Sequence, residues 1–113
     1  MTDHHHKPHH TDQAEHDAAL RDFLRGYFHQ DLTDEYGTPA NAAARFCAEA
    51  APAESAAARN AWERARTHYA GNLSGLNAHL ADLGSAWLFG DESELEAVSA
   101  AFNHALSHSS GTA

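Results

Sequence analysis

The sequence predicts an all-α fold, a single small bundle of about five helices, and three observations carry that reading. Twenty-five of the 113 residues are alanine, with one valine, Val98, and no isoleucine. Strands favour β-branched side chains and helices favour alanine, so the composition argues against a sheet. Leu20, Phe23, Leu24, Tyr27 and Phe28 recur at i, i+3, i+4, i+7 and i+8, the mark of an amphipathic helix. Thr38-Pro39 then reads as an N-cap followed by proline at the first helical position, where a missing N–H costs nothing.

Residues 1–11 hold His4, His5, His6, His9 and His10 around Lys7-Pro8, with no apolar residue after Met1. Such a segment buries too little to offset its ordering entropy and is expected to be a disordered extension. The first helix starts near Asp12, where Asp12 to Glu15 forms a capping box with aspartate at the cap. Arg21 and Arg25 face solvent beside the apolar stripe, and Gly26, a weak helix former, suggests that another backbone packs closely there. A ten-residue connection follows. The second helix runs from Pro39 to about Ala50, with Ala42, Ala43, Phe46, Cys47 and Ala50 inward. The third, near Ala53 to Ala70, buries Ala58, Ala61, Trp62, Ala65 and Tyr69, and its Arg59, Arg64 and Arg66 form a solvated face paired locally with Glu63. Gly71 stops it. Ser74 caps the fourth helix, which carries Leu76, Leu80 and Leu83 and ends at Gly84. Ser85 to Phe89 is either extended or a ragged turn; an extended course leaves one of Trp87, Leu88 and Phe89 exposed. Ser93 and Glu96 form a capping box for the fifth helix, which presents Leu95, Val98, Phe102, Ala105 and Leu106. The domain thus spans residues 12–107, and residues 108–113 form a fraying tail.

The formal charge of −9 argues against nucleic acid as a direct ligand, since phosphate binding needs a basic footprint. An acidic surface suits a basic protein partner, although acidity also serves solubility alone. One cysteine, Cys47, rules out an intrachain disulfide and reads as a small buried hydrophobe. No apolar run reaches transmembrane length and the N-terminus has no signal-peptide pattern, so no membrane partner and a cytoplasmic location are expected.

The connection itself is the most informative stretch. Gly26-Tyr27-Phe28-His29-Gln30-Asp31 and Glu35-Tyr36-Gly37-Thr38-Pro39 resemble the signature of the contact-dependent growth inhibition immunity proteins, small bacterial proteins that bind and neutralise a cognate toxin domain. The family pattern places Trp after the Asp31 position, where this chain has Leu32; beyond about Ala51 the likeness is one of helical layout. The resemblance implies a non-enzymatic toxin-binding protein without a cofactor. Its partner is expected to be basic, with a nuclease as one candidate class.

Two acidic patches are the candidate partner-binding residues: His29, Asp31, Asp34, Glu35 and Tyr36 in the connection, and Asp91 and Glu92 with Glu94 and Glu96 before the last helix. His29 beside Asp31 could also serve as a general base or a metal ligand in a small hydrolase, but no further spaced ligand or nucleophile completes such a site. Equally, His29 can answer free carbonyls at a helix end, and Asp31 can satisfy a turn. The other alternative is a metal-handling protein using His4, His5, His6, His9 and His10, whose imidazoles bind nickel, copper or zinc but lack side chains behind them to fix geometry.

Overall fold

A computed structural model describes the backbone of residues 7–112 and the side chains of residues 13–106. It has six helices and, among the described residues, no strand: α1 (Lys7–Tyr27), α2 (Leu32–Tyr36), α3 (Pro39–Glu49), α4 (Pro52–His68), α5 (Leu73–Asp82) and α6 (Glu92–Thr112). The expected all-α single domain is what is seen. The sixth element is the short α2, which lies inside the connection read as a loop. Backbone helix begins at Lys7, ahead of the expected start at Asp12, and runs through Ser107 to Thr112. The side chains of residues 7–12 and 107–112, and all of residues 1–6 and 113, lie outside the described set, and with them the side chains of the five N-terminal histidines.

The core is built where the apolar stripes meet. α1 packs chiefly against α4, α3 against α6, and α4 also against α6. Leu20, Phe23, Leu24 and Phe28 of α1 are buried, as are Ala42, Ala43 and Phe46 of α3, Ala58, Ala61, Trp62 and Ala65 of α4, and Leu95, Val98 and Phe102 of α6. Alanines on α3 and α4 let helix axes approach closely, and the aromatic rings fill what remains. Phe23 lies with its ring centroid 4.8 Å from both Phe28 and Phe46 and 5.4 Å from Phe102. Trp62 is fully buried, and its indole N–H donates to Ser99 Oγ at 2.9 Å, so its one polar atom is satisfied inside the core.

Several local expectations are corrected. Nothing lies within 4 Å of a Cβ built on Gly26, so no backbone packs there. A close approach is found instead at Gly84, where φ is +116° and a Cβ would stand 2.6 Å from the side-chain Cγ of Arg25, as well as at Gly75. Asn72, not Ser74, caps α5, accepting from Gly75 N at 2.9 Å. Asp91, not Ser93, caps α6, accepting from Glu94 N at 3.1 Å, while Glu94 reaches back to Gly90 N at 2.9 Å. The arginines of α4 pair across helices rather than with Glu63. Arg64 meets Asp17 of α1 at 3.4 Å, Arg66 meets Glu92 of α6 at 3.4 Å and Ser99 at 2.9 Å, and Arg59 donates to Asn103 at 3.1 Å. Tyr69 and Cys47 are only half-buried; burial pushes the Cys47 thiol up, with Ser55 opposing.

Between α5 and α6 the chain is extended over residues 85–90 and acts as a strap. Its Ala86 N–H donates to the Phe28 carbonyl at 2.8 Å, tying it to the end of α1. Side chains alternate as an extended course requires: Phe89 is buried, Trp87 half-buried and Leu88 70 % exposed.

Candidate functional site

The site grows from the end of α1. Tyr27 and Phe28 are adjacent but serve different surfaces, since successive helical positions point about 100° apart. Phe28 enters the core, while Tyr27 lies at its edge and donates its hydroxyl to the Glu49 carboxylate of α3. The ring of Tyr36 stacks on that of Tyr27, 5.5 Å between centroids and 28° between planes. Arg45 lies over the Tyr36 ring at 6.0 Å and pairs with Glu49 one turn on, at 3.6 Å. Burial, and then the bond to Glu49, pushes the Tyr27 hydroxyl up to about 12. Tyr36 is raised as well, first by burial and then by the carboxylates of Glu35 and Glu49.

The turn α2 is held at both ends. Leu32 is fully buried, so the position after Asp31 is a core anchor. Gly37 closes the turn, its N–H donating to the Leu32 and Thr33 carbonyls at 3.2 and 3.1 Å, with φ at +88°. Thr38 then caps α3 as expected, accepting from Asn41 N at 3.1 Å, and Pro39 takes the first helical position. Asn41 returns a bond to the Tyr36 carbonyl at 3.0 Å.

On this frame His29 is fully engaged. Its Nδ1 accepts from the Asp31 backbone N–H at 3.1 Å, so Nε2 carries the proton and meets Glu35 Oε1 at 2.9 Å. Both ring nitrogens are thus engaged in contacts within the corner. Its carboxylate partner is Glu35, and the Asp31 carboxylate does not bond to it or cap α2. Asp31 and Asp34 are both exposed. The corner thus gathers Asp31, Asp34, Glu35 and Tyr36 from the connection. It adds three residues from α3 that the sequence reading missed: Asn41, Arg45 and Glu49. The available signal was the Arg45/Glu49 spacing of one helical turn, which places a charge pair on the outer face of α3.

The second acidic patch has structural duties. Asp91 is held below the usual carboxylate range by the Ser93 hydroxyl and then by the Glu94 N–H, as its capping role requires. Glu92 pairs with Arg66 and Glu94 bonds Gly90, leaving Glu96 exposed. A groove of about 350 Å³ lies between the two patches, lined by Gly37, Thr38 and Pro39 on one side, Ser93, Glu94 and Ala97 on the other, and Trp87. Among the described residues no cluster of His, Cys, Asp or Glu could hold a metal ion, and no helix is long and apolar enough to cross a membrane.

The corner thus presents outward-facing carboxylates beside the Tyr27–Tyr36 stack. The chain belongs to the CdiI immunity protein family: the model of that family matches residues 17–86, well over half of the chain. The likeness therefore reaches far beyond the signature, through α4 and α5 to the start of the strap. Searches of curated proteins and of solved structures returned no match.

Proposed function

We propose that this protein neutralises the toxin domain of a contact-dependent growth inhibition system by binding it, with the α2 corner as the acidic docking element. Membership of the CdiI immunity family over residues 17–86 carries the reading, because the matched segment contains the corner. The exposed carboxylates of Asp31 and Asp34, on a turn fixed by Leu32, Gly37 and the Tyr27–Tyr36 stack, support it. Preorganised charge loses little entropy on binding. His29, Glu35 and Tyr36 belong to the same surface, and Asp91 and Glu92 lie at its far edge, across the Trp87 groove.

The partner is a basic domain, and nucleases, basic where they hold phosphate, are the class such an acidic corner complements. The protein acts in the cytoplasm as a stoichiometric binder, not as an enzyme. Expressing the toxin domain in a susceptible host with and without this chain tests the function. Growth restored by this chain, with a co-eluting complex, is the expected result; continued killing and no complex would overturn it.

A further inference from the structure

We infer that Leu88 is the apolar anchor of the toxin-binding surface, seated over the charge-free outer stripe of α5, and that it takes an apolar patch on a toxin domain ringed by basic side chains. The inference rests on the immunity reading and adds to it a second, uncharged region away from the acidic corner.

Leu88 is the one large hydrophobic side chain exposed among the described residues, at 70 %. A lone exposed leucine needs no explanation in itself. This one is held out by the backbone on both sides. Asn77 of α5 uses its side-chain amide as a strand would, accepting from Phe89 N at 2.9 Å and donating to the Phe89 carbonyl at 3.0 Å. Ser85 Oγ holds Trp87 from the other direction, accepting from its N–H at 3.1 Å. With residues 87 and 89 so fixed, the alternation of an extended chain points Leu88 outward. Folding has already ordered its backbone, so a partner meets it with little further entropy loss.

The ground beneath it is distinctive too. Leu88 borders a shallow groove of about 590 Å³ lined by Leu73, Ser74, Asn77, Ala78 and Ala81. These recur at the spacing of one helical face, opposite the buried Leu76 and Leu80. In a chain of net charge −9, Asp82 is the sole charged residue between Arg66 and Asp91. Depletion of charge at the centre, with charge at the rim, is the composition of an interface core.

Charge selects the occupant. Asp82 follows Ala81 of the stripe and the chain carries a net charge of −9, so two copies meeting here would bring like net charges together. Like-charge juxtaposition works against such a pair. A basic toxin domain meets the same charge favourably and is drawn in by it.

Titration calorimetry with the full chain and an inactivated form of its cognate toxin domain tests this, with sedimentation of the free chain alongside. Leu88→Ala weakens binding about 30-fold or more, as loss of an anchor does. Leu88→Asp weakens it further, while helicity and melting temperature stay at wild-type values. Ala78→Glu, on the same stripe, gives an independent loss. If wild type binds and all three variants bind as tightly, the anchor is refuted while the immunity reading stands. A wild-type dimer that Leu88→Asp separates, with toxin affinity unchanged, would assign the surface to a second copy and overturn the inference. Failure of wild type to bind the toxin at all would overturn both.

Discussion

The Tyr27 hydroxyl donates to the Glu49 carboxylate, joining the last turn of α1 to the last turn of α3. This contact makes the corner rigid and sensitive to alkali. A phenol pushed up from 10.0 to about 12 binds its proton more tightly folded than unfolded. Its stabilisation is complete below pH 10 and is lost as pH rises from 10 through 12. Ultraviolet titration is expected to show one tyrosine ionising well after an exposed one. The melting temperature should fall over the same window, and Tyr27→Phe should remove that part of the fall. A titration in which Tyr27→Phe takes away an ordinary tyrosine instead would show the bond is not formed.

Phe28→Ala should severely destabilise the domain. Phe28 is fully buried, 4.8 Å from Phe23 and 5.8 Å from Phe89 between ring centroids. Emptying such a site costs about 3–5 kcal/mol. In a domain of this size that lowers the melting temperature by more than about 12 °C. Calorimetric melting decides it, and an unchanged curve would contradict the packing.

Ser99→Ala isolates a polar contact inside the core. Ser99 Oγ accepts from the Trp62 indole and from Arg66, both at 2.9 Å. Its removal leaves the indole N–H buried and unpaired, at a cost of about 1–3 kcal/mol. Arg66 keeps Glu92, so the loss falls on Trp62. Urea unfolding followed by tryptophan fluorescence should show a lower midpoint with an unchanged slope.

Asp34→Lys with Glu35→Lys tests the docking corner. Binding of the toxin domain should weaken about 100-fold or more, equal to about 2.7 kcal/mol at 1.4 per decade. Stability should fall by at most about 1 kcal/mol, since the His29–Glu35 pair is partly exposed to solvent. Asp34→Lys alone should leave melting untouched. Reversal at Asp91 and Glu92 should do the opposite, destabilising α6 by removing its cap and the Arg66 partner while affecting binding less. Calorimetry at low and high salt separates the two patches, and full affinity in the 34/35 variant would move the interface away from the corner.

What the sequence by itself determined was whatever depends on neighbours along the chain. The stripe from Leu20 to Phe28, the Thr38-Pro39 helix start and the apolar faces of Trp62 and Phe102 follow from helical spacing, and the signature around the connection was enough to identify the immunity family. Capping was less legible. Asn72 and Asp91 outrank Ser74 and Ser93 because the backbone decides which of two nearby acceptors reaches a free N–H. The connection also hid a helical turn, because Leu32 becomes an anchor only once there is a core for it to enter. Contacts between distant segments were settled by tertiary structure alone. Arg64 leaves the nearby Glu63 for Asp17, and the His29 ring turns to Glu35 rather than to the Asp31 carboxylate. Arg45 and Glu49 join a corner whose own sequence has no basic side chain. Charged side chains pair with what packing places within reach, and spacing along a helix says nothing about which other helix will lie beside it. Leu88 shows the same division: alternation in an extended strap required one of three apolar residues to be exposed, and only the grip of Asn77 on Phe89 decided which.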